Sequence, residues 1–454
     1  MAKDKAHLQQ MCEHYLKSMC VDIADRSVGS SGNRAATRFF ERELRAAGWA
    51  TETPEFDAMD WHDGGARLTV ETGNKSSAPG SEEAAKGVGF DVRVSPYSNG
   101  YSGDAELAAV SSVGMLENGE FRDKILLLHG EIAAEQLMPK NFVFYNPEEH
   151  RRIVAALEAS GAAALVCATG RNPELAGGVY PFPLIEDGDF DIPSVYMTEE
   201  EGLRLLTHTG KKVRLVSHSE RIHGKACNVI GKKGGNAVTK GGENVNAAAG
   251  QDLAGQDLAG QDPGAEKPDG PGRIVITAHI DAKKGTPGAI DNATGATVLL
   301  LLAHLLRDYH GPAPLEIVAF NGEDYYAVPG QMDYLGANRN NFDRVAMNIN
   351  IDGAGYHEGP TACSYFGLPG RIQQKAKELL EGRTGIVEGE QWVQGDHSIF
   401  LQYGRPAIAV TSAWMLAHMH DQTITHTPAD TIDNVDCGKL VELAGALKEF
   451  VTAL

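Results

Sequence analysis

The sequence predicts an α/β protein: a mixed sheet with helices on both faces, joined to a smaller, β-rich α/β unit. Three observations predict it. From Arg273 onward, short apolar strand-like runs alternate with helical patterns, as in a sheet covered on both sides. Between residues 89 and 223 the pattern changes, with strand-like runs at 124–128, 163–168, 194–197 and 212–216 around two short helices. At 454 residues the chain also has room for roughly three domains.

The elements follow in order. The chain opens on a helix, a loop and a second helix. The loop Ser27-Val28-Gly29-Ser30-Ser31-Gly32-Asn33 offers N-cap residues; Ala36, Phe39, Phe40, Leu44 and Ala47 then recur at helical spacing, and Gly48 supplies the stop. Strands are expected at 50–56 and 66–72, before a Ser/Gly/Ala-rich patch at 73–86. In the second unit, the 150–160 helix carries Ile153, Val154 and Leu157 on one face. Thr198-Glu199-Glu200-Glu201 reads as a capping box opening the helix of Leu203, Leu205 and Leu206. This unit has no cluster of His, Asp and Glu at metal-ligand spacing, so it is expected to bind or shape rather than catalyse.

Residues 235–272 are low in complexity, with Ala-Gly-Gln-Asp-Leu at 249–253 and 254–258 decaying to Ala-Gly-Gln-Asp-Pro at 259–263. Such a stretch buries too little apolar surface to offset its ordering entropy, and is expected to be a flexible surface excursion. Beyond it come strands at 274–277, 315–320, 345–351 and 406–411, and an apolar helix at 294–307. A last helix carries Leu440, Leu443, Leu447, Phe450, Val451 and Leu454 on one face.

Composition narrows the function. Hydrophobic residues make up 42% and charged residues 22%, which excludes a disordered or fibrous chain. With 41 basic and 61 acidic residues the net charge is −20, which disfavours nucleic acid and anionic membranes as partners. The six cysteines (Cys12, Cys20, Cys167, Cys227, Cys363, Cys437) form no C-x-x-C pair and are expected as reduced thiols. The first residues lack the apolar core of a signal peptide, and the longest apolar run, 298–306, is interrupted by His304 and too short to span a bilayer. A cytoplasmic location is expected.

The chemistry concentrates at predicted strand ends, where open α/β sheets gather ligands. His279 can ligate a divalent metal, and Asp281, two residues on, is placed to accept its other ring N–H. Asp291, before the apolar helix, offers two carboxylate oxygens. Glu323 and Asp324 end one strand, Asp352 another, and His426 precedes the last helix. Singly, each has another reading: Asp291 as an N-cap, Glu323 and Asp324 as solvated loop acids, His426 as a loop or cap histidine. Together, two histidines and several carboxylates suit zinc, and also cobalt or manganese.

These stretches resemble peptidase family M28, the co-catalytic zinc aminopeptidases that also include carboxypeptidases and glutaminyl cyclases. The resemblance rests on H-x-D (279–281), G-A-x-D-N-x-[ST]-G (288–295), G-E-[ED] (322–324), N-x-D (350–352) and H-T-x-x-D-T (426–431), in family order, and on the N-terminal GSSGN with its helix. It implies a zinc-peptidase-like fold and two zinc ions bridged by Asp291. His279 and Asp352 complete one ion, Asp324 and His426 the other; Glu323 is the general base and Asp281 the partner of His279. Asp324 stands where the family usually has Glu, one methylene longer, and the 281–291 spacing is short for the family. His418 and His420 lie close enough in sequence to compete with His426. Asp396-His397 resembles a D-H-x-x-F segment that lines the substrate pocket, with a helix-start histidine as the other reading.

The 89–223 region resembles a protease-associated (PA) domain, through its 122–128 strand, the 161–166 strand and I-P-S-V-x-[MI] at 192–197. The expected organisation is therefore a peptidase domain in two parts, 1–88 and 224–454, around a PA-like insertion. The resemblance implies hydrolysis of N-terminal residues from peptide substrates, by a metal-bridging water whose pKa two zinc ions lower and whose proton Glu323 takes. A glutaminyl cyclase or carboxypeptidase on the same scaffold, and a non-catalytic receptor or scaffold, are the alternatives.

Overall fold

The structure is a computed structural model that describes residues 2–23, 25–70, 87–169, 183–234, 272–392, 394–419 and 422–454. The patch at 73–86, the repeat at 249–263 and His420 lie outside the described residues.

Eight strands form the first sheet, in the order Ala50–Glu52, Val229–Lys233, Leu315–Phe320, Arg273–His279, Val345–Ile351, Ala407–Ser412, Thr361–Phe366, Ile386–Glu388. The four central strands, from Leu315–Phe320 to Ala407–Ser412, run parallel, and antiparallel strands flank them. These central strands are buried on both faces, so they read as continuous apolar runs rather than alternating ones.

Both faces are covered, as expected. Ile274 and Ile276 pack under the helices Ser31–Ala46, Thr294–Leu305 and Cys437–Thr452, whereas Val275 points to the opposite side, among Tyr334, Leu335, Ile399 and Phe400. The apolar helix Thr294–Leu305 is buried almost all round because it sits between the sheet and the first and last helices. Ser30 caps the second helix by accepting from the Asn33 N–H at 2.9 Å, as its position in the sequence predicts.

A second eight-stranded sheet contains Glu55–Val70, Val88–Phe90, Arg93–Val94, Tyr101–Val110, Ile125–Leu128, Ala164–Thr169, Ser194–Thr198 and Lys212–Cys227. Ile125 and Leu127 serve one core, Leu126 and Leu128 another, so this sheet too is packed on both sides. Thr198 caps the following helix through the Glu201 N–H at 3.2 Å. The Glu201 carboxylate accepts from the Asp91 N–H instead of closing a capping box.

Three expectations differ from the structure. The strands at 50–56 and 66–72 are replaced by a short strand, Ala50–Glu52, and one long strand, Glu55–Val70. The long strand pairs antiparallel with Lys212–Cys227, itself about three times as long as expected, and absorbs Gly64 and Gly65 in a register shift. Its exposed middle is held by ladder hydrogen bonds, which leave no apolar pattern in the sequence. That pairing also puts residues 55–70 into the second sheet, although the sequence placed them with the first unit. Leu454 lies beyond the last helix and is 39% exposed, because the helix ends at Thr452.

All six cysteines are free thiols. Among the described residues, no helix is long and apolar enough to cross a membrane.

The last helix gives a direct test. Phe450→Ala should lower the unfolding free energy by about 3–5 kcal/mol in chemical denaturation, since Phe450 is fully buried. Leu454→Ala should change it by less than about 0.5 kcal/mol.

Candidate metal centre

The parallel centre of the first sheet positions the site. His279 ends the strand Arg273–His279, Asp352 directly follows Val345–Ile351, and Glu323 and Asp324 lie just past Leu315–Phe320. Because these three strands are adjacent and parallel, their carboxyl ends open on the same side. Asp291 enters from the segment before the apolar helix, and His426 from the loop after Ala407–Ser412.

Asp291 is the meeting point. Its Oδ1 lies 3.0 Å from His279 Nε2, and its Oδ2 lies 3.0 Å from His426 Nε2. Each histidine has a second acid: Asp352 Oδ1 is 3.6 Å from His279 Nε2, and Asp324 Oδ1 is 3.0 Å from His426 Nε2. Ligand atoms of His279, Asp291 and Asp324 all fall within 4.8 Å of one another. The four other residues that the sequence proposes as ligands thus gather around the Asp291 carboxylate.

The donor set fits divalent metal. His279 is 1% exposed, yet neither of its ring nitrogens makes a hydrogen bond, and Asp324 Oδ2 is a buried oxygen without a partner. Buried polar atoms are rarely left this way, and imidazole with carboxylate is a suitable set for a divalent cation.

The electrostatics agree. Burial by itself would lower the pKa of His279, but the carboxylates of Asp281, Asp291 and Asp352 outweigh it and push the imidazole well above its ordinary value. Burial is likewise overcome at His426, by Asp324 and Asp291. For Asp291, burial raises the pKa, but the two histidines hold the carboxyl far below the usual range. Glu323 is pushed well above its ordinary value, first by burial and then by Asp324, Asp352 and Asp396, against the pull of His279. Without cations, the site gathers protons.

The loops are held by hydrogen bonds to backbone. Asp281 accepts from the N–H groups of Gly322 at 2.7 Å, Glu323 at 3.3 Å and Asp324 at 3.0 Å, which fixes the segment carrying both acids. Its oxygen stands 3.6 Å from His279 Nδ1, too far for the hydrogen bond expected from the sequence, because these backbone donors occupy the carboxylate. Asp430 accepts from the Ile290 and Asp291 N–H groups at 2.7 and 3.1 Å and so holds the bridging segment. Gly288, at φ 58°, makes the approach possible: a Cβ there would come within 2.6 Å of Asp291 O and of Ala282 Cβ.

A sequence profile described as peptidase family M28 matches residues 259–451. Over this part of its length, the chain is similar to peptidase family M28. Of curated relatives, the aminopeptidase YwaD of Bacillus subtilis is 26% identical over 122 residues, which cover 26% of this chain and only 23% of that relative. Two solved structures match nearly the whole fold. One is an aminopeptidase from Aneurinibacillus sp. strain AM-1, with 18% identity, TM-score 0.66, and coverage of 98% of this chain and 93% of the other. The other is BSAP, described as a zinc aminopeptidase from Bacillus subtilis, with 16% identity, TM-score 0.67, and coverage of 98% and 94%. At these identities the structures establish a shared fold.

The histidines outside the cluster divide clearly. His418 stacks on Trp414 at 4.4 Å, with Nδ1 2.9 Å from the Trp414 carbonyl, so it faces its own turn. Asp396 and His397 are both buried. Asp396 accepts from Gln331 Nε2 at 2.7 Å, and its carboxyl is pushed up to about 7, first by burial. His397 Nε2 is bound to the Trp392 carbonyl at 2.9 Å, and burial lowers its pKa to about 4.

Sequence reasoning missed Arg26. It is 1% exposed and donates to the carbonyls of Met19, Ile280, Pro287 and Gly288 at 2.7–2.9 Å, tying the N-terminal segment to both metal-facing loops. Nothing local marks it, because its partners are backbone atoms more than 250 residues away in three of the four cases. Asp430 was visible within H-T-x-x-D-T, but its role as backbone acceptor was not.

Two outcomes follow for the candidate metal centre. Asp281→Asn should weaken zinc binding by about 10–100-fold in chelator-buffered titrations while leaving the far-UV circular dichroism unchanged. The second concerns pH. His279 and His426 are raised in the metal-free chain, so their contribution to stability is fully present below about pH 6.5 and is lost as pH rises through the raised values. Metal ligation requires the deprotonated rings. The difference in Tm between zinc-saturated and metal-free protein should therefore widen from pH 6 to pH 8.5 in thermal unfolding.

Proposed function

We propose that the chain is a dinuclear zinc aminopeptidase that hydrolyses N-terminal residues from peptides. The observation that carries this reading is Asp291, whose two carboxylate oxygens each face a different histidine at 3.0 Å, each histidine having its own second carboxylate. That arrangement supports two ligand sets, His279 with Asp352 and Asp324 with His426, sharing Asp291. Asp324 reaches His426 in spite of its shorter side chain, because Asp281 draws in the backbone of its loop.

Zinc in such a site supplies Lewis acidity and makes water acidic near neutrality. The rest belongs to the chain. Glu323 follows Gly322 in the segment that Asp281 holds, and among the described residues its carboxylate makes no hydrogen bond. It is therefore free to take a proton from the attacking water and deliver it to the leaving amine. Without cations, burial and the neighbouring acids raise its pKa; divalent cations beside it would favour the carboxylate form that accepts the proton. The carboxylates around Asp291 favour a cationic N-terminal amine, which agrees with exopeptidase action. The names of the aminopeptidases with this fold point the same way.

The test is metal analysis combined with a panel of aminoacyl amides. Two equivalents of zinc, release of free N-terminal residues and inhibition by chelators are expected. Glu323→Gln should keep both metals and lose about 10²–10⁴-fold in kcat/KM. Full activity of that variant, or cyclisation of glutaminyl peptides without release of an amino acid, would overturn the proposal.

A further inference from the structure

The metal face is ringed by acids, and among the described residues one cation on its loops is left with donors to spare. Among the described residues, three basic residues reach these loops. Arg26 is committed to backbone carbonyls through all its nitrogens. Lys284 is paired with Asp60 at 2.7 Å and with Asp25 at 3.5 Å. Lys283 differs. It stands two residues past Asp281, and its Nζ meets Glu186 Oε1 at 2.8 Å, which uses one of its three N–H donors. Among the described residues its other donors make no hydrogen bond, and its side chain is 24% exposed.

Glu186 comes from the second unit and is itself held. Its Oε2 accepts from Gln136 Nε2 at 3.2 Å. The segment around it is pinned where the Leu137 N–H donates to the Leu184 carbonyl at 2.9 Å and the Lys140 N–H to Asp187 at 2.7 Å. Burial opposes the charge on Lys283, but Glu186, Asp324 and Glu323 outweigh it and keep the ammonium protonated. Lys283 is thus a fixed, permanently charged group placed between the second unit and the acids of the metal site. An anionic substrate group would be repelled by the other side chains there and accepted at this one.

We infer that Lys283, oriented by Glu186, is a specificity residue that binds a carboxylate of the peptide substrate. The carboxylate is either the C-terminus of a short peptide or an acidic side chain next to the cleaved bond. This inference rests on the aminopeptidase reading above.

The experiment compares matched substrates with zinc-loaded protein. Leu-Ala against Leu-Ala-amide tests a terminal carboxylate, and Leu-Asp-amide against Leu-Asn-amide tests a side-chain one. Wild type should favour the carboxylate member of one pair by about tenfold or more, through KM rather than kcat, as a charge-assisted hydrogen bond allows. In Lys283→Met that ratio should fall to about one, and Lys283→Arg should keep most of it. Calorimetric binding of the same pairs to the Glu323→Gln protein, with and without Lys283→Met, should give the same order without turnover. Ratios near one in wild type for both pairs, or a ratio that survives in Lys283→Met, would sink the inference. Leucine p-nitroanilide separates the two readings. If it is hydrolysed and no ratio is found, only the role of Lys283 falls; if it is not hydrolysed, the aminopeptidase reading falls and this inference with it.

Discussion

Gathering the carboxylates of Asp291, Glu323, Asp324 and Asp352 around two histidines, mostly out of water, sets the electrostatic condition that the rest of the molecule must meet. Like charges at this separation cannot all remain ionised without compensation. In the metal-free chain the compensation is protonic: both histidines are driven toward the charged form and Glu323 toward the neutral one. Divalent cations answer the same requirement with two charges each, so metal ions and the chain's own protons compete for one place.

Such a cluster persists only if its backbone is held by groups that do not move when the charges change. Three residues supply this, and none needs to touch a metal. Asp281 gathers the N–H groups of the Gly322–Glu323–Asp324 segment. Asp430 gathers those leading into Asp291. Arg26 binds the carbonyls on the other side of the same loops. Anionic side chains on backbone N–H groups and a cation on backbone carbonyls are charge-assisted bonds, stronger than their neutral counterparts.

The second unit belongs to the same construction. Tyr325 and Tyr326, next in sequence to Asp324, pack with Val94 and Trp61 of the second sheet and with Tyr97 in the turn after Val94, and the Met59 N–H donates to the Tyr325 hydroxyl at 2.8 Å. The acid-bearing loop is therefore fastened at one end by Asp281 and at the other by aromatic packing across the units. This contact and the Lys283–Glu186 pair give the second unit a part in shaping the centre, although it carries none of the candidate ligands.

The sequence determined the parts of this protein that are local or periodic. The apolar strands of the first sheet, the cap at Ser30, the buried helix before Leu306 and the residue types at the strand ends could be read because each is written within a few neighbouring positions. The resemblance in motif order implied roles that spacing alone left open. Tertiary structure decided the rest. It joined Glu55–Val70 to Lys212–Cys227, since ladder hydrogen bonds leave no trace in side-chain pattern. It turned Asp281 from a histidine partner into an anchor for three backbone N–H groups, and it made Arg26 and Glu186 contributors to the centre. Those outcomes depend on atoms brought together from distant stretches of chain, and a hydrogen bond to a remote backbone atom constrains no neighbouring residue by which it could be recognised.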